Sequence, residues 1–344
     1  MIRVGVDAWN LPHDRRGIGR YLRALLDAFA HDFNDRIACT LVIPEWPALF
    51  ARNRYRAAAD GLRLPVISRR AVDAAGLDLL WFPFNGVSWN RFAVPAIATL
   101  HDASPFVLPG YDDAARAPFR EAALRCARII TDSHHAASEL ARVLPFPSER
   151  IDAVPLGVAP PRAPLPVTLD VAALEPFVLF VGEAEERKGL PMLARAVERV
   201  RAGGVACRLV AVGRIRPDAA LPPETTLLGH VDDATLAALY RGCAAFAYPS
   251  RYEGFGLPVL EAMSYGAPVI ASPAAAIPEA GGDAARYVAP EDVDGWADAL
   301  RALIVAPAAA AEQRARGRVR AQTMTWRACA ARTLAAMESV PLGS

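Results

Sequence analysis

Two glutamates, Glu253 and Glu261, stand eight residues apart around the loop Gly254-Phe255-Gly256-Leu257-Pro258. Carboxylates so placed can accept hydrogen bonds from ligand hydroxyls, hold a cation, or work as an acid–base pair. Apolar runs at 244–248 and 269–271 flank the segment, each the length of a short buried strand. The pattern predicts strand, glycine loop, short helix and strand. Glu253 then lies on the loop and Glu261 on the helix, with the N–H groups of the helix start facing the same crevice. Open α/β sheets bind ligands at such places, beyond the carboxyl ends of their strands. Read blandly, this is a surface loop with two solvated acids. Gly254, Gly256, Gly266 and Pro258 around them are more restriction than a mere connection requires.

Three further clusters could do chemistry. Arg187-Lys188 follows a glycine turn at Gly182, and two adjacent cations there suit a diphosphate. Glu183, Glu185 and Glu186 could instead make it a solvated charge run. The acids are expected to point outward, since helix starts tolerate them. His101-Asp102 ends a predicted central strand at 96–100, which places both residues at a crevice; a local hydrogen-bonding histidine is the bland alternative. Gly17-Ile18-Gly19-Arg20-Tyr21 follows a strand at 3–7 and a loop through Pro12, Arg15 and Arg16. Leu22, Leu25, Leu26 and Phe29 then recur at helical spacing, so a helix begins near Gly19. Free N–H groups at a helix start favour anions. The motif is neither GxGxxG nor a P-loop, and a plain tight turn reads equally well.

These residues need elements to position them. In the first half, strands are predicted at 37–43, 79–83, 96–100, 129–133 and 151–158, with helices at 114–128 and 134–143, the latter capped by Ser133. Residues 44–76 are polar and arginine-dotted and yield no assignment. Pro160, Pro161, Pro164, Pro166 and Pro176 mark the clearest break in composition. The same pattern then restarts: strands at 177–181 and 207–212, a short strand and turn at 227–231, and a helix capped by Asp232 and running through Tyr240. Helices are predicted at 294–306, 308–324 and 326–337. The expected class is α/β with parallel sheets built from repeated βα units. The expected domains are 1–160, a proline-rich linker at 161–176, and 177–325.

The bulk properties set limits. At 344 residues the chain fits two domains, and 53% apolar residues supply ample core. A formal net charge of +1 gives no argument for a nucleic-acid partner. The five cysteines form no CxxC pair and read as buried thiols of a reducing compartment. The apolar N-terminus reads as a strand, not a signal peptide, and no apolar run is long enough to span a bilayer. The expectation is a cytoplasmic protein, with room for peripheral contact with the membrane's inner face. No zinc spacing is visible, His134 and His135 being adjacent on a helix.

The stretch from Glu253 to Ala262, with Gly266-Ala267-Pro268-Val269-Ile270, resembles the E-x7-E signature of the retaining glycosyltransferases of family 4. Gly17-Ile18-Gly19-Arg20-Tyr21, His101-Asp102, Arg187-Lys188, Gly229-His230-Val231 and Pro278-Glu279 follow in the family's order, so the resemblance covers nearly the whole chain. It implies a GT-B architecture: two Rossmann-like domains facing across a cleft, the first for the acceptor and the second for a nucleotide sugar. The helix from about Trp326 would return to the first domain.

The resemblance also implies roles. Arg187 and Lys188 would clamp the departing diphosphate, helped by N–H groups at Gly19 and at Gly256-Leu257, with no metal and no other cofactor. Glu261 would accept from both ribose hydroxyls and Glu253 would hold a sugar hydroxyl, with Gly254 and Phe255 in the same loop. Gly229, His230 and Val231 would take the base. His101 would contact the transferred sugar, with Asp102 to orient it, and Gly17, Arg20, Tyr21 and Asp102 would lie on the acceptor side. The implied reaction moves a hexose, with mannose from GDP-mannose the leading donor, onto a glycan or lipid-linked saccharide. UDP-glucose, UDP-galactose and dTDP-rhamnose are alternative donors. A sugar-nucleotide epimerase or an inactive nucleotide-sugar-binding scaffold are alternative functions. One departure from the family pattern is the acid-rich run Glu183, Glu185 and Glu186 before and beside the cationic pair.

Overall fold

Strand and helix alternate because apolar runs of strand length alternate with amphipathic helices. The computed structural model describes residues 1–14, 17–44, 49–59, 61–161, 163–183, 185–215, 221–222 and 224–341, with only the backbone described for 49–52. Arg15 and Arg16 lie outside the described residues.

In chain order the first elements are β1 (Ile2–Asp7), α1 (Gly17–Asp32), β2 (Ile37–Ile43), α2 (Leu49–Ala58), β3 (Val66–Ser68), β4 (Leu79–Phe82), β5 (Ala96–Thr99), α3 (Ser104–Val107), α4 (Asp113–Arg125), β6 (Arg128–Thr131), α5 (His134–Val143) and β7 (Ile151–Ala153). There follow β8 (Phe177–Val181), α6 (Leu190–Ala202), β9 (Arg208–Val212), β10 (Thr225–Gly229), α7 (Asp233–Gly242), β11 (Ala245–Tyr248), α8 (Leu257–Ser264), β12 (Val269–Ala271), α9 (Ile277–Gly281), β13 (Arg286–Tyr287), α10 (Val293–Val305), α11 (Pro307–Thr323) and α12 (Trp326–Glu338). The chain divides into two compact units, Met1–Gly157 with Trp326–Ser344, and Val158–Thr325.

Among the described residues, the first unit holds a seven-stranded sheet in the order β3-β2-β1-β4-β5-β6-β7, every pair parallel. Its central strands are apolar on both faces, as strands covered by helices on two sides must be. Leu79, Leu80, Trp81 and Phe82 are all fully buried. Each such side chain contributes about 1.5–3 kcal/mol on burial. Helix α12 belongs to this unit. Its buried Ala330, Leu334 and Met337 pack inward, while Trp326 lies against Tyr21 of α1 and Arg36 pairs with Glu338 at 2.6 Å.

The second unit holds a six-stranded parallel sheet, β10-β9-β8-β11-β12-β13. Its core gathers Phe180, Leu193, Val197, Ile270, Trp296 and Leu300 between sheet and helices. The main-chain bond from Val158 to the Met324 carbonyl, 2.9 Å, ties the two chain ends of this unit together. In each sheet the strand order reverses once, between β1 and β4 and between β8 and β11. The loops after those strands are where a parallel sheet opens a crevice.

The unassigned segment 44–76 contains α2, β3 and a 3-10 turn at Arg69–Ala74. Strand β3 is three residues long and, among the described residues, lies at the sheet edge beside β2, so it carries no alternating pattern to read. Two boundaries differ from expectation: α1 starts at Gly17, and α4 ends at Arg125 so that Arg128 can open β6.

Candidate functional site

In the second unit, the loops after β8 and β11 flank the reversal point and are stitched to each other. Gly189 sits in the left-handed region (φ 73°), and a Cβ there would lie 2.7 Å from the Pro249 carbonyl oxygen. Only glycine permits that approach. The Arg251 amide donates to the Arg187 carbonyl at 2.7 Å, and Arg187 Nη1 donates to the Tyr252 carbonyl at 2.8 Å. Gly213 (φ 127°) brings the loop after β9 into the same place, since a Cβ there would stand 2.0 Å from the Gly182 carbonyl.

The stitching brings charged side chains together. Lys188 Nζ lies 2.5 Å from Glu253 Oε1, Arg187 Nη1 lies 3.4 Å from the same oxygen, and Ser250 Oγ donates to it at 2.6 Å. Lys188 Nζ also stands over the Tyr248 ring, 5.8 Å from its centroid. Burial works against the Arg187 charge, and Glu253 with Glu185 more than offsets it, so the guanidinium is held firmly charged. Burial and then Glu253 push the Tyr248 hydroxyl well above its usual range. One acidic neighbour departs from expectation. Glu185 does not point away: its Oε2 lies 2.6 Å from Arg187 Nε. The guanidinium fork reaches both loops and so meets two carboxylates.

Gly256 (φ 101°) turns the chain into α8, which places Glu261 on the helix's second turn, half-buried. Phe255 is buried, so its side chain packs and only its backbone faces the loop. Gly254 and Leu257 are half-buried. Gly229 (φ 63°) ends β10 and its carbonyl accepts from the Gly213 amide at 2.8 Å. His230 is exposed and Val231 half-buried on the turn before Asp232 caps α7.

In the first unit the loops after β1, β4 and β5 meet. His101 is 7% exposed at the end of β5. Its Nδ1 lies 2.9 and 3.0 Å from the two oxygens of Asp132, and its Nε2 lies 3.0 Å from the Pro83 carbonyl oxygen. The edge of Tyr21 packs on the ring. Burial disfavours the imidazolium, but Asp132, the Pro83 carbonyl and the more distant Asp102 together outweigh it and raise the histidine's pKa. Burial also holds Asp132 above the usual carboxyl range, against the pull of His101.

Three expectations are corrected here. The carboxylate that orients His101 is Asp132, not Asp102, because Asp102 turns back to accept from the Ser104 amide at 2.8 Å. Tyr21 is a core residue, 2% exposed with its hydroxyl 3.3 Å from Thr99 Oγ1, and does not line an acceptor surface. The Gly19 amide does not stand free as expected but donates to Asp14 Oδ2 at 3.1 Å. Gly17 is exposed at the start of α1 and Arg20 is half-buried.

Residues the sequence reading passed over include Asp7, buried at the end of β1. Ser88 Oγ donates to Asp7 at 2.5 Å and Arg69 Nη2 at 3.1 Å. Asp132, Ser250 and Tyr248 were also missed, and their position at the carboxyl ends of strands is the signal that could have found them. Among the described residues, no group of three or more His, Cys, Asp or Glu side chains could hold a metal ion. Among them, no helix is long and apolar enough to cross a membrane.

Two family models match this chain: Glycosyltransferase Family 4 over residues 15–162 and Glycosyl transferases group 1 over residues 175–305. The chain is 31% identical over 262 residues to the O-antigen chain mannosyltransferase B of Escherichia coli, covering 70% of this chain and 69% of that protein. It is 31% identical over 231 residues to the MMP alpha-(1->4)-mannosyltransferase of Mycolicibacterium hassiacum, covering 61% of this chain and 53% of that protein. Among solved structures, Anabaena HepE in complex with UDP and glucose superposes with a TM-score of 0.75 at 14% identity, covering 99% of this chain and all of that one. Sucrose-phosphate synthase from Thermosynechococcus elongatus superposes with a TM-score of 0.73 at 20% identity, over 98% of each chain. The fold is GT-B, two α/β units with parallel sheets. The chain belongs to the glycosyltransferases of this fold related to family 4 and group 1. It is an enzyme that transfers a sugar from a nucleotide-sugar donor to an acceptor.

Proposed function

We propose that the second unit holds the donor through the cluster Arg187–Lys188–Glu253, and that the transferred group is a hexose. The supporting observation is the meeting of two cations and one carboxylate at the reversal point of a parallel sheet, beside the start of α8. A nucleoside diphosphate leaving from an anomeric carbon gains charge on its phosphate oxygens. Arg187 and Lys188 supply fixed positive charge there, and the N–H groups at Gly256-Leu257 add donors. Glu253 pairs with both cations, with Glu185 also on Arg187, so a bound diphosphate takes over part of Glu253's partnership. Glu253 is then free to accept from a sugar hydroxyl. Glu261 accepts from the ribose hydroxyls, and the turn at Gly229, His230 and Val231 borders the base. The acceptor, a glycan or lipid-linked saccharide, belongs to the first unit, near Gly17, Arg20 and Asp102. Retention of the anomeric configuration is carried over from the family resemblance.

Two donors come first in testing. Sequence relatives carry mannosyltransferase names, which favours GDP-mannose, whereas HepE is known with UDP-glucose. Calorimetry against GDP-mannose, UDP-glucose, UDP-galactose and dTDP-rhamnose, with and without EDTA, identifies the donor. Glu261→Ala is expected to lose nucleotide affinity by about tenfold or more, the equivalent of at least 1.4 kcal/mol. Absence of binding to every donor overturns the donor reading, and unchanged affinity in Glu261→Ala overturns the ribose role. Anomeric NMR signals of the product report retention.

A further inference from the structure

The turn after β4, residues 83–88, lies at the reversal point of the seven-stranded sheet and is held from both ends. At its far end Ser88 is bonded to buried Asp7. In its middle, Gly86 (φ 108°) faces the Pro118 carbonyl, where a Cβ would come within 2.4 Å, and the Val87 amide donates to that carbonyl at 3.0 Å. At its near end stands His101. The His101 amide donates to Asn85 Oδ1 at 2.8 Å, and Asn85 itself sits in the left-handed region (φ 52°). The ring closes the arrangement. A carbonyl oxygen can only accept, so Nε2 must carry a proton to bond Pro83; a carboxylate can only accept, so Nδ1 must carry one to bond Asp132.

We propose that Asp132 and His101 are positioning residues: Asp132 keeps His101 doubly protonated, and the imidazolium clamps Pro83 while the His101 amide clamps Asn85, fixing this turn as the rigid acceptor-side rim of the first unit. With both ring nitrogens engaged by Asp132 and Pro83, the ring acts through the turn. Groups around the ring on every side fit this assignment. Asp132 comes from the end of β6, Asp102 from the residue's own loop, Tyr21 from α1, and Cys329 of α12 acts on Tyr21 and Asp132. Asp132 and Asp102 favour a protonated imidazole, and Tyr21 and Cys329 are kept neutral by burial. An apolar neighbour in place of Asp132 would leave Nδ1 bare and favour the neutral ring, whose one proton on Nε2 gives the Pro83 carbonyl only a weaker, uncharged bond.

The kinetic part of this assignment rests on the transferase reading above, so its test begins with a measurement that needs no activity. Nitrogen-15 NMR of the imidazoles in the intact protein is expected to show both His101 nitrogens protonated near pH 7. Asp132→Asn is expected to lower the proton affinity of His101 by about tenfold or more, one pKa unit. With the donor and acceptor identified, Asp132→Asn raises the acceptor KM by about tenfold and leaves the donor KM within about twofold, the split expected when only one partner's platform loosens. His101→Gln, whose amide nitrogen can still donate to Pro83, recovers part of the activity that His101→Ala loses. A neutral His101 with a bare Nε2 in the wild type overturns the proposal even if no variant folds. So does an unchanged His101 in folded Asp132→Asn, or a parallel rise of donor and acceptor KM. Failure of every donor to bind, with His101 still doubly protonated, sinks the transferase reading and leaves the clamp standing.

Discussion

Lys188 is the only lysine in the chain, in a composition where arginine supplies the remaining basic residues. Its compact ammonium meets Glu253, and its Cδ stands 4.0 Å from where a Cβ at Gly182 would lie. A guanidinium is larger and planar, so Lys188→Arg is expected to weaken diphosphate binding about tenfold although charge is kept. The single lysine also provides a probe. Reductive methylation with carbon-13 labels Lys188 and the N-terminus alone, and addition of UDP or GDP is expected to shift the Lys188 signal. Glu253→Gln removes the countercharge of Lys188 and leaves Arg187 with Glu185 alone. It is expected to raise affinity for free UDP or GDP about three- to tenfold by calorimetry while turnover falls, as the proposed sugar-holding role of Glu253 requires. At His101 the pH dependence has a definite sign. The folded pKa is raised, so the folded state holds a proton that the unfolded chain releases above about pH 6.5. The stabilisation is fully present below that pH and is lost as pH rises through the folded pKa. The denaturant midpoint of the wild type therefore falls across this alkaline window, and that of His101→Gln stays flatter.

At the scale of elements, the helices and central strands were readable because burial on one or both faces imposes a period. Ser133 and Asp232 cap α5 and α7 with the bonds their types predict, from the Ala136 amide at 3.0 Å and the Thr235 amide at 2.7 Å. The short edge strand β3 and the polar helix α2 were not readable, since neither carries a strong apolar period. The loops after β8, β9 and β11 depend on glycines at close backbone contacts. Gly213→Ala would combine a positive φ with a collision on the Gly182 carbonyl, so destabilisation of roughly 1–3 kcal/mol is expected from the backbone conformation alone, read as a lower denaturant midpoint. Gly189→Ala adds the collision with Pro249 and is expected to weaken donor binding as well, since it parts the loops carrying Lys188 and Glu253.

At the scale of the molecule, the chain crosses from the first unit to the second and back. Val158–Thr325 is one continuous stretch with its own sheet, core and joined ends. Expressed alone it is expected to unfold cooperatively and to retain the wild-type calorimetric affinity for UDP or GDP within about tenfold. Met1–Gly157 without α12 would expose Tyr21 and the surface that Ala330, Leu334 and Met337 cover. It is expected to aggregate or melt far below the same segment supplied with residues 326–341, a comparison made by calorimetric melting.

Local order along the chain is enough to determine the repeated βα pattern, the caps, and the family through Glu253 to Glu261. These properties depend on period and spacing, and a linear sequence displays both. Which carboxylate holds His101, whether Glu185 points away, and what occupies the Gly19 amide were decided only in three dimensions. Asp132 is thirty-one residues from His101 and meets it because β5 and β6 pair side by side. Lys188 is sixty-five residues from Glu253 and meets it because β8 and β11 are neighbours across the reversal in the sheet. Parallel strands place the ends of distant segments together, and no pattern along the chain records which ends those are.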